Sequence, residues 1–242
     1  MAGRLVLVAT PIGNLGDLSP RVAAALQEAD FWIVEDSRVS GRLGVHLGVK
    51  KPMVVVNDHV RPGQIQAIVQ RLESGECAAL MSDGGAPCIS DPGSLVVDAA
   101  AEAGIDIDAI PGPSAPITAL MLSGFFAQRF AFLGFLGRKE GDMRKELKAF
   151  AESPLTLVLF ESPFRIDTLL RAAGEALGPR RYAITRELTK MHQQVVRGVL
   201  PVSPPDGEMP RKGEFTVVFE GLRRADKRKT QDSAAENPFE AS

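Results

Sequence analysis

Three loops rich in glycine and proline could bind a small molecule through their backbone. The longest covers residues 82–93, and the others cover 10–17 and 111–114. Gly84 and Gly85 have no Cβ, so the chain can approach a ligand closely there, while Pro87 and Pro92 restrict the backbone. Glycine and proline also mark ordinary connecting loops. Composition alone therefore leaves both a binding loop and a plain connector open.

Acidic side chains at three expected strand ends could take part in proton transfer. These candidate catalytic residues are Asp36, Asp83 and Glu161. A carboxylate in such a position can accept a proton from a reacting hydroxyl or stabilise a positively charged ligand. Taken singly, each could instead cap a helix, close a turn or form an ion pair.

The elements that must position these residues follow the pattern of an α/β protein, because short apolar runs alternate with helix-like stretches. Leu5 to Ala9 is nearly all aliphatic, as expected for a strand that is buried on both faces. We predict strands at 5–9, 31–35, 53–56, 77–81, 105–110, 130–135, 155–160, 181–185, 195–200 and 215–219. We predict helices at 20–29, 62–74, 94–103, 142–151 and 163–177, and another that follows residue 114.

A chain of 242 residues can form one large or two small α/β domains. The second half has more adjacent strands, which favours a mixed sheet there. Residues 223–242 are polar and lack apolar periodicity, so we predict a disordered tail. In open α/β sheets, ligands bind outside the carboxyl ends of the strands. The three loops are therefore expected to line one pocket.

Several classes of protein are disfavoured by composition. Hydrophobic residues make up 45% of the chain, the mean hydropathy is +0.02, and no apolar run is long enough for a membrane span or a secretory signal. We therefore expect a cytoplasmic protein without a membrane partner. Two cysteines eleven residues apart and three scattered histidines support neither a disulfide framework nor a metal site. The glycine motifs of dinucleotide-binding and P-loop proteins are also missing.

The charge is distributed unevenly along the chain. Residues 1–121 hold 8 basic and 14 acidic side chains, while residues 122–242 hold 20 and 16, so the halves carry net charges of −6 and +4. A basic half can attract a polyanion by counterion release. A solvated surface accounts for the same charge, and the pI of about 6.0 is low for a strong nucleic-acid binder.

Seven motifs, taken together and in order, resemble the ribosomal RNA small subunit methyltransferase I family of the tetrapyrrole methylase superfamily. They lie at residues 10–15, 35–38, 82–93, 111–115, 161–163, 186–190 and 213–215, and the resemblance covers nearly all of residues 4–221. It implies a two-domain tetrapyrrole methylase fold, with domains at 1–113 and 114–222. The first sheet would be rich in parallel strands, the second mixed, and the cofactor cleft would lie between the domains.

The resemblance also implies an activity and its partners. It implies a homodimer that transfers a methyl group from S-adenosyl-L-methionine to the 2′-hydroxyl of a cytidine in the decoding region of 16S ribosomal RNA. Such a transfer requires no metal. The residues that match or border cofactor-binding positions are Pro11, Gly13, Asn14, Asp83, Gly84, Gly85, Ala86, Pro87, Ile89, Ser114, Ala115 and Phe160.

Basic residues within or beside the motifs are candidates for gripping RNA phosphates, for which the planar fork of arginine is suited. They are Arg38, Arg165, Arg186 and Lys190. Each could equally form an intramolecular salt bridge, for example with a neighbouring Asp36, Glu161 or Glu187. Trp32 lies in a strand run and is expected in the core.

The chain departs from the family pattern at several positions. Ala86 replaces a threonine, Phe164 replaces a histidine, Gly137 replaces a proline, and Gln193 and Gln194 replace an acidic pair. These changes leave the substrate and the proton acceptor open. The alternatives are a tetrapyrrole or protein side-chain methyltransferase of the same superfamily, and a non-catalytic RNA-binding protein of ribosome assembly.

Overall fold

The computed structural model describes residues 3–205 and 207–223. The described residues up to Ala115 form one compact unit, and those from Pro116 onward form a second. Each unit contains one five-stranded sheet. Within the described part of the chain, no helix is long and apolar enough to cross a membrane. The predicted tail lies outside the described residues, apart from Arg223.

The first unit contains a fully parallel sheet. Its strands are β1 (Arg4–Val8), β2 (Phe31–Val34), β3 (Met53–Val55), β4 (Cys77–Met81) and β5 (Asp106–Ile110). Their order is β3-β2-β4-β1-β5, and every neighbouring pair is parallel. The carboxyl ends of β4, β1 and β5 therefore lie side by side, and the loops that follow these three strands begin next to one another.

Both faces of the central strands β2 and β4 are buried, which explains their nearly continuous apolar sequences. In β2, Phe31 and Ile33 pack into one apolar cluster, while Trp32 and Val34 pack into a second. Trp32 is fully buried, as predicted. The connecting helices are α1 (Pro20–Glu28), α2 (Ser37–Leu47), α3 (Pro62–Glu73) and α4 (Gly93–Glu102).

Helix α2 is absent from the sequence-based prediction. The spacing of Val39, Leu43 and Leu47 at four-residue intervals is typical of a helix, but two glycines lower the helix propensity of the segment. Asp36 caps its first turn by accepting from the backbone N–H of Arg38 at 2.8 Å. Gly44 lies against the ring of Trp32, where an added Cβ would be 3.3 Å from the indole. Tertiary packing therefore stabilises this helix.

The second unit contains α5 (Ala115–Ser123) from its second residue onward, and a mixed sheet. Its strands are β6 (Phe130–Phe135), β7 (Thr156–Glu161), β8 (Arg181–Arg186), β9 (Gln194–Val199) and β10 (Phe215–Phe219). The order is β6-β7-β10-β8-β9, in which β6 and β7 are parallel and the other pairs are antiparallel. The predicted α/β class, with a parallel first sheet and a mixed second one, is confirmed.

Helices α6 (Glu140–Lys148) and α7 (Ile166–Leu177) pack against each other and bury one face of the second sheet. Helix α7 begins three residues later than predicted. Its predicted first turn is a separate turn, closed by a bond from the N–H of Arg165 to the carbonyl of Ser162 at 3.0 Å. Helix α6 begins two residues earlier than predicted, at Glu140.

Candidate functional site

The three predicted loops of the first unit contact one another at the carboxyl ends of β4, β1 and β5. Thr10 and Gly85 exchange two backbone hydrogen bonds of 3.0 Å, which join the first loop to the second. Gly85 has a φ of +89°, and a Cβ there would lie 3.6 Å from the carbonyl oxygen of Pro113 in the third loop. The three loops are therefore neighbours within this unit, and a common ligand site among them stays a prediction.

Close packing of backbone against backbone explains the glycines in these loops. A Cβ on Gly84 would lie 3.3 Å from the carbonyl oxygen of Pro11, and one on Gly112 would lie 3.0 Å from the Cβ and the carbonyl oxygen of Ala9. The loops thus form a surface made largely of main chain and small side chains. Such a surface can offer N–H and C=O groups directly to a ligand.

The end of the second loop is held in an unusual backbone conformation. Cys88 and Ser90 both have positive φ values, 67° and 64°, which side-chain-bearing residues adopt rarely. The Asp91 carboxylate accepts from the N–H of Gly93 at 2.8 Å at the start of α4. Burial, and secondarily the charge of Asp91, raises the pKa of the Cys88 thiol to about 11. The thiol therefore stays protonated at neutral pH and is a poor nucleophile.

Three carboxylates lie together at the ends of β2 and β4. The N–H of Asp36 donates to Asp83 Oδ1 at 3.1 Å, and the N–H of Asp83 donates to Glu35 Oε2 at 3.3 Å. Glu35 precedes Asp36 in the same motif, but the sequence-based prediction omits it. Its position at the end of a buried strand was the signal that could have identified it.

The three carboxylates differ in their affinity for a proton. Burial raises the pKa of Asp83 and that of Glu35 above their ordinary values. The Arg38 guanidinium lowers the pKa of Asp36 to about 2 through side-chain hydrogen bonds. Asp36 is therefore ionised, bonded to Arg38 and committed to capping α2. Asp83 and Glu35 are the better proton acceptors of this group.

Glu161 lies in the second unit, at the end of β7, and its side chain is only 1% exposed. Its Oε1 accepts from the N–H of Ser162 at 2.7 Å and lies 3.3 Å from Arg165 Nε. Its Oε2 is buried without a hydrogen-bond partner among the described residues. Burial raises the pKa of this carboxyl. Glu161 is thus a third carboxylate, after Asp83 and Glu35, that holds a proton more firmly than an exposed one.

All four basic residues predicted to grip RNA make intramolecular contacts. Arg38 pairs with Asp36 at 2.5 Å, and its side chain remains 86% exposed. Arg165 pairs with Glu161, and Arg186 donates to two backbone carbonyls. Lys190 pairs with Glu187 and Glu214. The salt-bridge interpretation thus holds for Arg38, Arg165 and Lys190. Their contact with RNA stays a prediction.

The remaining predicted cofactor residues vary in exposure. Those that are exposed or half-buried are Pro11, Gly13, Asn14, Ala86, Ile89, Ser114, Ala115 and Phe160, whereas Pro87 is buried. The Asn14 side chain accepts from the N–H of Gly16 at 2.9 Å and so caps the short 3-10 turn Leu15–Asp17. Phe160 belongs to the second unit, where it contacts two other phenylalanines. All except Phe160 belong to the three loops of the first unit or border them.

Comparison with known proteins agrees with this fold. The family of Tetrapyrrole (Corrin/Porphyrin) Methylases matches residues 4–202. The solved methyltransferase CobJ superposes with a TM-score of 0.66 at 17% identity, over 92% of this chain and 97% of its own. A uroporphyrin-III C-methyltransferase from Thermus thermophilus, solved in complex with S-adenyl homocysteine, gives 0.60 at 17% identity over 89% and 97%.

A curated relative is similar in sequence as well. The "Ribosomal RNA small subunit methyltransferase I" of Xylella fastidiosa is 42% identical over 228 residues, which cover 93% of this chain and 84% of the relative. The predicted family is thereby confirmed, and this chain belongs to the ribosomal RNA small subunit methyltransferase I family of tetrapyrrole methylases.

Proposed function

We propose that this protein transfers a methyl group from S-adenosyl-L-methionine to the ribose 2′-oxygen of a cytidine in the decoding region of 16S ribosomal RNA. The observation that carries the proposal is the 42% identity to a relative named for methylation of small-subunit ribosomal RNA, over 93% of this chain. The order of the seven sequence motifs supports the same substrate. A homodimer and a cytoplasmic location are further expectations from the family resemblance.

The loops of the first unit suit S-adenosyl-L-methionine chemically. The backbone around Gly84 and Gly85 is packed too closely against the first loop for larger side chains, which leaves main-chain groups to bond a ligand. Asp83 and Glu35 supply negative charge near a positively charged donor. The residues proposed to hold the cofactor are Ala86, Pro87, Ile89, Ser114 and Ala115, with Pro11, Gly13 and Asn14 from the first loop.

The protein has two tasks in such a transfer. S-adenosyl-L-methionine supplies a methyl group that its sulfonium already activates. The chain must align the ribose 2′-oxygen with that methyl carbon and accept the hydroxyl proton as the new C–O bond forms. Asp83 is the proposed acceptor in the first unit, because burial raises its pKa and it lies near the start of the second loop, residues 82–93. Glu161 is the proposed alternative from the second unit.

Two other functions make different predictions. A tetrapyrrole or protein side-chain methyltransferase would share the donor but not the RNA substrate. A non-catalytic assembly protein would bind RNA without transfer, and Ala86 and Phe164, where the family pattern has threonine and histidine, are the positions that favour this alternative. The net charge of +4 in the second half favours an RNA substrate over a small molecule.

The experiment is transfer of a labelled methyl group to small ribosomal subunits and to free 16S RNA, both from a strain that lacks the modification. We expect label in RNA, and alkaline hydrolysis that leaves the labelled nucleotide as a resistant dinucleotide, because a 2′-O-methyl group blocks cleavage. Label in a porphyrinoid but not in either RNA would contradict the proposal. Absence of S-adenosyl-L-methionine binding in calorimetry would favour the non-catalytic alternative.

A further inference from the structure

The carboxyl ends of β6 and β7 carry a cluster of three phenylalanines, Phe132, Phe135 and Phe160. Phe132 meets Phe160 edge to face, with ring centroids 5.1 Å apart, and Phe135 lies 5.5 Å from Phe160 at an angle of 50°. Phe132 and Phe160 are half-buried, while Phe135 is 62% exposed. The ring of Phe135 is therefore exposed to solvent and packs on Phe160, which in turn contacts Phe132.

A bulge in β6 creates this arrangement. Phe132 pairs with Val158, but Phe135 rather than Gly134 pairs with Phe160, so one extra residue lies between the two pairs. Gly134 has a φ of +61° and accommodates the irregularity. Without the extra residue, Phe135 would point to the opposite face of the sheet, because side chains alternate along a strand. The bulge thus directs Phe135 onto Phe160.

Basic side chains lie beside this cluster. The Arg165 guanidinium donates to the carbonyl oxygens of Leu136 and Gly137 at 3.2 and 2.7 Å, and so ties the turn after β7 to the end of β6. Arg138 and Lys139 follow directly and are both exposed. Within the described part of the chain, neither forms an ion pair, in contrast to Arg165. Their charges are therefore available to a partner.

A solvent-exposed aromatic ring beside unpaired positive charges is the combination that binds single-stranded nucleic acid: bases stack on the ring, and the cations contact phosphates. We propose that Phe135, supported by Phe160 and Phe132, is the stacking platform for one unpaired base of the RNA, and that Arg138 and Lys139 contact its flanking phosphates. This inference rests on the proposed RNA substrate. It adds a positioning residue that the sequence motifs did not identify.

Tryptophan fluorescence tests the stacking directly. The chain's single tryptophan, Trp32, is fully buried in the first unit, so the substitution Phe135→Trp adds the only exposed indole. Titration with 16S RNA and with a twelve-residue oligocytidylate should quench the added indole. The matched control is Phe130→Trp, at a position 40% exposed, five residues earlier and about 16 Å away along the same strand, which should not be quenched.

Affinity provides the second measurement. Phe135→Ala should weaken binding of the 16S RNA by about ten- to a hundredfold relative to Phe130→Ala, and Phe135→Trp should retain it. Arg138→Gln and Lys139→Gln should each reduce the slope of log Kd against log salt by about 0.7. Binding of S-adenosyl-L-methionine by calorimetry should be unchanged in all these variants, which confirms that they are folded.

Three results would overturn the inference. The first is an unquenched Phe135→Trp indole in a variant that still binds RNA. The second is quenching of that indole by S-adenosyl homocysteine alone, which would make the cluster part of the cofactor site. The third is equal RNA affinity for Phe135→Ala and Phe130→Ala. In each case, methyl transfer by the wild-type protein to small subunits would still support the proposed function. If the wild-type protein neither bound nor methylated RNA, the proposed function and the stacking inference would both be overturned.

Discussion

Replacement of Gly85 by alanine tests whether the joined loops depend on one backbone conformation. A residue with a side chain at a φ of +89° is strained by about 1–2 kcal/mol. The new Cβ would also lie 3.2 Å from the Ile12 side chain, which must shift by a few tenths of an ångström. Reduced entropy of the unfolded chain returns about 0.4–1 kcal/mol. Gly85→Ala should therefore lower the free energy of unfolding by about 1 kcal/mol.

The adjacent glycine provides the matched control. Gly84 does not have a positive φ, and its added Cβ would lie 3.3 Å from the Pro11 carbonyl oxygen. Gly84→Ala gains the same entropic term and lacks the backbone strain, but its Cβ makes a tight contact with Pro11 that is comparable in length to the contact of the Gly85→Ala Cβ with Ile12. With the entropic gain set against that contact, its free energy of unfolding should be within about 0.5 kcal/mol of the wild-type value. The free energies of unfolding of the two variants should then differ by about 1–2 kcal/mol, which is the backbone strain of a side-chain-bearing residue at a positive φ.

Urea unfolding followed by Trp32 fluorescence measures this difference, because the chain's only tryptophan is buried in the first unit and reports on that unit. The m-value should remain unchanged. Calorimetry on the same variants should show weaker S-adenosyl-L-methionine binding for Gly85→Ala than for Gly84→Ala. Equal stability and equal affinity for the two variants would refute the reasoning, because the positive φ of Gly85 would then have no energetic consequence.

Three further perturbations have definite outcomes. At saturating S-adenosyl-L-methionine, Asp83→Asn should slow methyl transfer by about a hundredfold or more. A pH profile should show that the wild-type rate falls as the pH is lowered and this carboxyl, whose pKa burial raises, is protonated. Burial also raises the pKa of Glu161 above 4.5, so the folded state binds the proton more tightly than the unfolded chain. The free energy of unfolding should therefore fall as the pH rises from about 4.5 through the folded pKa, and Glu161→Gln should flatten that part of the profile in denaturation experiments. Gly213→Ala should destabilise the protein by about 1–3 kcal/mol, because Gly213 has a φ of +90° and the new Cβ would displace the Glu187 carboxylate from its hydrogen bond with the N–H of Glu214. Gly141→Ala, in open space on a helix, should instead stabilise the protein by about 0.5–1 kcal/mol in the same thermal melts.

The sequence predicts most strands of this fold well, because their burial demands a local pattern. Both faces of the first sheet are covered, so a strand such as Phe31–Val34 must be apolar at every position, and continuous apolar runs are easily recognised. Helix α2 is harder to predict, because two glycines lower its helix propensity and only the four-residue spacing of Val39, Leu43 and Leu47 indicates an apolar face. The contact of Gly44 with Trp32, which stabilises the helix, joins two different elements and cannot be predicted from the helix sequence alone.

The site is predictable to a similar extent. Glycine and proline mark the three loops, but their contact depends on the order β4-β1-β5, which places strands from distant parts of the sequence side by side. The hydrogen bonds that join Thr10 to Gly85 follow from that order. The bulge at Gly134, which directs Phe135 onto Phe160, also cannot be predicted from the sequence. A glycine within a strand indicates that an irregularity is present, but it does not indicate which residues of the two strands pair beyond it.

The structure also limits which basic residues can recognise RNA. Arg186 is buried and donates to the carbonyl oxygens of Lys212 and His192 at 2.6 and 3.1 Å, so it organises the segments that follow β8 and precede β10. A phosphate contact by Arg186 would have to break these bonds and leave both carbonyls without this donor. Arg138 and Lys139 are exposed and would lose no such bonds. Affinity for RNA is therefore expected to depend more on the end of β6 than on the 186–190 motif.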